Sequence, residues 1–201
     1  LVNKFVGRFQ ATSWASPENA TPKTIKAKII VVAGPSGSGK TTVASSVAKK
    51  LHCPYIEGDA YHDKAALAKM SANIPPTDED RWAWLERLCV VSSVSALNAP
   101  GGVVVLTCSA LKKQYRDILR CAAIKEIETV FLLLQVNEED SLAERLKNRP
   151  SHYMKQDMVH GQVRTLEQPA IEEVDVLPVD ASLTPDKVML EVMDLLRSKL
   201  P

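Results

Sequence analysis

Eight consecutive residues, Gly34-Pro35-Ser36-Gly37-Ser38-Gly39-Lys40-Thr41, fit the pattern G-x-x-x-x-G-K-[ST]. Each residue type has a task at that spacing. The glycines let backbone N–H groups turn inward toward phosphate oxygens. The helix that follows adds the partial positive charge of its N-terminus. Lys40 reaches the β- and γ-phosphates, and Thr41 Oγ is a ligand for Mg²⁺. The predicted chemistry is the holding of a nucleoside triphosphate by Gly34, Ser36, Gly37, Ser38, Gly39, Lys40, Thr41 and Thr42, with Thr41 on the metal. The loop is silent on where the phosphate goes.

Three further segments bear on that. In EGDAYH (57–62), Asp59 falls at the carboxyl end of a predicted strand, the edge at which open α/β sheets bind ligands. A carboxylate there can hold an attacking hydroxyl in line with the γ-phosphate, or help hold Mg²⁺. It can equally be a turn aspartate capping the next helix. His62, one turn on, is either a donor to a substrate anion or a partly exposed helix histidine. In LTCSALKKQYR (106–116), Ser109 ends another strand, and Lys112, Lys113 and Arg116 crowd the turn and helix that follow. Such a cluster suits a carboxylate or phosphate, although a solvated helix face is the better reading for Lys113. In RLKNRPSHYMK (145–155), Arg145, Lys147, Arg149, His152 and Lys155 suit a lid that closes over a triphosphate and stabilises charge.

These residues need a frame. AKIIVVAG (27–34) is a short β-branched apolar run ending in glycine, a buried strand. Thr41–Leu51 reads as a helix with Val43, Val47 and Leu51 on one stripe. Further strands are predicted at 53–59, 100–109, 128–136 and 174–180, and helices at 60–70, from Thr77 to about Asn98, at 112–121, after Asn137 and from Thr184-Pro185. Thr77 and Asp80 have the spacing of a capping box, and Thr184 with Pro185 forms a helix-start signal. Strands alternating with helices predict an α/β class: a three-layer phosphate-loop fold with a five-stranded parallel sheet, helices on both faces and a small lid at about 149–165.

The chain of 201 residues is long enough for one such domain over 25–201 plus an N-terminal extension over 1–24. That extension holds Lys4 and Arg8 with no acid before Glu18, a pattern shared by targeting segments and disordered tails. A net charge of +1 without a basic stripe argues against a nucleic-acid partner. No apolar run approaches the ~20 residues that span a bilayer, so no membrane partner is expected and the cytoplasm is the expected location. The four cysteines lack zinc spacing and read as small hydrophobes in a reducing compartment.

Taken together, GPSGSGKTT, EGDAYH, KMSANIPPTDEDRWAWL, CSALKKQYRDILR, ERLKNR, HYMK and TLEQP resemble the gluconokinase family in order and spacing from Ile29 to about Pro178. The resemblance implies a nucleoside-monophosphate-kinase-like fold. It implies transfer of the γ-phosphoryl of ATP, with Mg²⁺, to the 6-hydroxyl of D-gluconate, giving 6-phospho-D-gluconate for the pentose phosphate pathway. It assigns Lys40, Asp59 and Arg149 to catalysis and adds Arg145 to the ATP site. Asp59, His62, Arg81, Ser109, Arg116, His152, Lys155 and Gln162 are assigned to the sugar acid, with an arginine on its carboxylate. Members of the family are often dimers, and a homodimer is an open expectation.

The chain departs from the family's pattern at HDKAA (62–66), where Asp63 stands for a proline and Ala66 for an asparagine, at Pro76, and at Pro150-Ser151. Two other readings therefore stay open. One is a kinase of another small acceptor such as shikimate or a nucleotide. The other is a catalytically weakened ATP-binding homologue.

Overall fold

A computed structural model describes residues 27–72, 74, 76–120, 126–136 and 156–200. The extension 1–24 and the lid residues 149–155 lie outside them.

Five strands, β1 (Ala27–Ala33), β2 (Tyr55–Glu57), β3 (Val103–Thr107), β4 (Ile127–Gln135) and β5 (Val176–Asp180), form one sheet in the order β2-β3-β1-β4-β5. All four neighbouring pairs are parallel, with Ile30 level with Val105 on one side and Val130 on the other. β1 is buried on both faces, which is why it reads as a continuous apolar run. Its side chains alternate: Ile29 and Val31 enter one core with Trp84, Leu85, Leu88, Tyr115 and Phe131. Ile30 and Val32 enter the other with Val43, Val47, Val188, Val192 and Leu196.

The helices that cover those faces are α1 (Lys40–Leu51), α2 (Lys64–Ser71), α3 (Asp78–Asn98), α4 (Lys113–Leu119), α5 (Gln156–Thr165) and α6 (Pro185–Arg197). The capping box of α3 forms in both directions: Thr77 Oγ1 accepts from Asp80 N–H, and Asp80 accepts from Thr77 N–H. Buried Trp84, Leu85, Leu88, Ser92 and Ala96 then put one face of α3 on the sheet.

Four local expectations are corrected. The segment after β2 is a 3-10 turn, Gly58–Tyr61, and α2 starts only at Lys64. The cap of α2 is Asp63, whose Oδ1 accepts from Ala66 N–H at 2.7 Å, so the aspartate that departs from the family pattern has a helix-starting task of its own. Thr184 precedes α6 without a side-chain cap bond, leaving Pro185 as its start signal. Cys89 is disulfide-bonded while Cys53 and Cys108 are free thiols, a difference of which linear spacing carries no sign. Among the described residues no helix is long and apolar enough to cross a membrane.

Candidate active site

β1 lies where the strand order reverses, so the turn leaving its carboxyl end opens onto the crevice of the sheet. That turn is the phosphate loop. Gly34, Gly37 and Gly39 have φ of 133°, 85° and 94°, values that side-chain-bearing residues rarely adopt. A Cβ on Gly34 would also sit 2.6 Å from the carbonyl oxygen of Leu134. Gly34 N–H is held by the Ser109 carbonyl at 3.1 Å, which ties the loop to the end of β3.

Two features fit the loop to an anion. No side chain caps α1 and no acid occupies its first turn, so the helix N-terminus meets the loop with its partial positive charge unopposed by either. Ser38 Oγ is buried with no hydrogen-bond partner among the described residues. Lys40 Nζ rests on the Pro35 carbonyl at 2.9 Å, and Ser36 N–H donates to Gln162 Oε1 at 2.7 Å. Gln162, read from the sequence as an acceptor-side residue, is thus placed on the phosphate loop by α5. A cavity of ≈ 490 Å³ adjoins the loop, walled by Gly37–Gly39, by Thr42, Val43 and Ser46 of α1, and by Ala181–Met189 residues including Leu183 and Val188. Nothing local marks the 181–189 wall in advance, because it is mostly apolar and lies far along the chain.

The acceptor side stands on the neighbouring strand ends. Asp59 lies in the 3-10 turn after β2, its side chain 52% exposed and its Oδ1 3.9 Å from His62 Nε2. His62 is flat against Trp84, ring centroids 4.1 Å apart, and its Nδ1 is buried without a hydrogen-bond partner among the described residues. Burial lowers the His62 pKa, Asp59 and Asp63 oppose the shift, and Arg81 and Arg87 add to it. His62 is therefore a neutral imidazole at pH 7, a hydrogen-bonding wall rather than a cation. Trp84 was not singled out in the sequence. Its Nε1–H fixes the Gly58 carbonyl at 2.9 Å, so it supports the turn as well as the imidazole. Arg81, at the start of α3, lies over the Tyr115 ring at 5.6 Å with its NH1 3.6 Å from Asp78. Beneath them the Cys108 thiol is pushed up to about 12, first by burial; Asp59 adds to the rise, and Lys40 and Arg81 oppose it. Asp59, Lys40 and Arg81 are thus each within electrostatic reach of this thiol, just past the end of β3.

The predicted cluster on α4 does not face this crevice as a set of available cations. Arg116 is fully buried, and its Nε and NH2 donate to the two carboxylate oxygens of Glu173 at 2.8 and 2.7 Å. Its NH1 serves the carbonyls of Ala110, Leu111 and Glu167. An arginine that is fully buried and held by both oxygens of an internal carboxylate is not presented to a substrate in the crevice, which corrects its assignment. Lys112 is spent on Asp78 at 2.9 Å, and Lys113 pairs with Asp117 on an exposed face. Ser109, partly exposed, remains at the edge, whereas Arg145, Arg149, His152 and Lys155 lie outside the described residues.

A stability prediction follows from that pair. Glu173→Gln should lower the unfolding free energy by roughly 3–5 kcal/mol, since it strands a buried guanidinium, and leave the KM for the acceptor unchanged. The Arg116 hydrogen bonds, ahead of those from Arg120, hold the Glu173 carboxyl well below the usual carboxylate range. Its stabilisation is complete above the unfolded pKa of about 4.3 and fades as pH falls through the folded value below it. Denaturant unfolding should therefore show the gap between wild type and Glu173→Gln narrowing below about pH 4. A raised KM at unchanged stability would return Arg116 to the substrate.

The comparisons with known proteins agree with this fold. The shikimate kinase family model matches residues 36–197. A gluconokinase of Gluconobacter oxydans is 40% identical over 176 residues, covering 88% of this chain and 95% of that protein. The thermoresistant gluconokinase of Escherichia coli is 36% identical over 169 residues, covering 84% and 93%. This chain belongs to the gluconokinase family. A solved gluconokinase from Sinorhizobium meliloti shares the family's fold with it at a TM-score of 0.72 and 36% identity, over 87% of this chain and 94% of that one. The match to the shikimate kinase family model is consistent with the parallel sheet and the phosphate loop described above. As a gluconokinase-family member the chain is a phosphotransferase.

Proposed function

We propose that this protein transfers the γ-phosphoryl group of ATP to the 6-hydroxyl of D-gluconate. The observation that supports the reading is the crevice itself: in a gluconokinase-family chain, a phosphate loop follows β1, an exposed carboxylate follows β2, and Asp59, Lys40 and Arg81 all act on the same buried thiol.

In this reading the phosphate loop and the start of α1 bind the triphosphate through backbone N–H groups, and Lys40 leaves the Pro35 carbonyl to lie along the β- and γ-oxygens. The cavity beside the loop is room for the nucleoside. Thr41 Oγ1 and the phosphates would hold Mg²⁺, which neutralises charge developing on the β- and γ-oxygens. Among the described residues no cluster of three His, Cys, Asp or Glu could hold a metal alone, in keeping with an ion that arrives with its nucleotide. Asp59 accepts the proton of the 6-hydroxyl as its oxygen bonds to the γ-phosphorus and the bond to the β-phosphate oxygen breaks, releasing ADP. Arg81 takes the gluconate carboxylate in place of Arg116, and neutral His62 and Ser109 offer hydrogen bonds to the hydroxyls. Arg149, with Arg145, His152 and Lys155, would act from the lid.

ADP release from Mg²⁺-ATP should be stimulated by D-gluconate, and by neither shikimate nor AMP. Stimulation by shikimate or AMP instead would keep Asp59 and the loop but move the substrate. ATP binding without stimulation by any acceptor would favour a weakened homologue.

A further inference from the structure

The carboxylate of Glu57 has no part in the roles above, yet it is heavily engaged beside the crevice. It ends β2, two residues before Asp59, and three hydroxyls converge on it. Thr41 Oγ1 donates to Oε2 at 3.1 Å, Tyr55 OH donates to the same oxygen at 2.5 Å, and Thr107 Oγ1 donates to Oε1. A hydroxyl has one proton to give, and each of these is spent on Glu57.

Two consequences follow. With its proton turned to Glu57, Thr41 Oγ1 keeps its lone pairs free on the other side, which a hard cation requires of a hydroxyl ligand. Thr107 Oγ1, having donated, accepts the Gly58 N–H at 3.0 Å. The Gly58 carbonyl is taken by Trp84, on which His62 stacks. The Gly58 peptide is also confined by packing, since a Cβ there would fall 2.0 Å from the Thr107 carbonyl oxygen. An unbroken set of hydrogen bonds thus runs from Thr41, through Glu57 and Thr107, to the turn that carries Asp59. The Tyr55 phenol is raised by burial and then by its bond to Glu57, so it stays a donor across the physiological range.

We propose that Glu57 is the positioning residue that joins the two halves of this site, orienting the Thr41 hydroxyl toward the metal and, through Thr107, fixing the turn that presents Asp59. The proposal rests on the roles given above to Thr41 and Asp59. It is tested first without any acceptor, so a chain that phosphorylates something other than gluconate gives the same answer.

ADP affinity is titrated with and without Mg²⁺. Glu57→Gln replaces an acceptor oxygen by an NH₂ donor facing hydroxyl donors. It should cut the Mg²⁺-dependent gain in ADP affinity by about tenfold while leaving the Mg²⁺-free affinity within about twofold. Tyr55→Phe, a milder change, should move the same quantity in the same direction. For the acceptor arm, Thr107→Val should lower kcat about tenfold and Thr107→Ser, which keeps the hydroxyl, should restore it, with thermal midpoints compared to confirm folding. Wild-type Mg²⁺ dependence in Glu57→Gln would overturn the proposal, as would an equal loss of ADP affinity with and without Mg²⁺. Wild-type kcat in a folded Thr107→Val would overturn the link to Asp59.

Discussion

Lys40→Ala should all but abolish gluconate-dependent ADP release, with kcat falling by at least roughly a hundred- to a thousand-fold, or about 3–4 kcal/mol of transition-state stabilisation. Charge that builds on the γ-phosphoryl oxygens is met by preorganised donors, and Lys40 is the only cation within the loop sequence. Its Nζ already lies at the loop, 2.9 Å from the Pro35 carbonyl, so little reorganisation separates that position from the phosphates. The side chain is only partly buried, and its loss should leave the thermal midpoint near that of wild type. Steady-state ADP release at saturating ATP and gluconate measures the effect; turnover at the wild-type rate would remove the loop from the reaction.

Asp59→Asn should lower kcat by about 10²–10⁴-fold while changing ATP affinity little. The amide keeps the size of the carboxylate but cannot take the proton of the attacking hydroxyl. Asp59 is exposed at the crevice, 3.9 Å from His62 and within electrostatic reach of the same buried thiol as Lys40 and Arg81. A position at the junction of nucleotide and acceptor predicts a loss in the chemical step. Single-turnover rates and ATP titrations separate the alternatives: if ATP binding weakens and the chemical step is spared, Asp59 holds the metal.

The elements that position these groups were legible because their signals are local. The continuous apolar run of β1, the Thr77–Asp80 capping box and the alternation of strands with helices depend on residues a few positions apart. Register and strand order were left open, since pairing is set between distant segments. The same limit explains the misreading on α4. Arg116 has the right chemistry for a carboxylate, but the carboxylate it binds belongs to Glu173, 57 positions away. Lys112 likewise looked available until α3 brought Asp78 to it across 34 positions. Asp63, which looked like a loss from the family pattern, caps α2.

From the sequence alone came the phosphate loop, the carboxylate two residues after Glu57, the α/β class and the family, all written in contiguous motifs whose chemistry needs only neighbouring residues. The tertiary structure decided which cations face the crevice and which are consumed as structural ion pairs. It decided that His62 is a neutral ring on Trp84, and that Glu57 gathers hydroxyls from the phosphate loop, β2 and β3. Those outcomes depend on burial and long-range pairing: a charge becomes available or committed only when folding sets what stands opposite it, and burial sets the cost of leaving it alone.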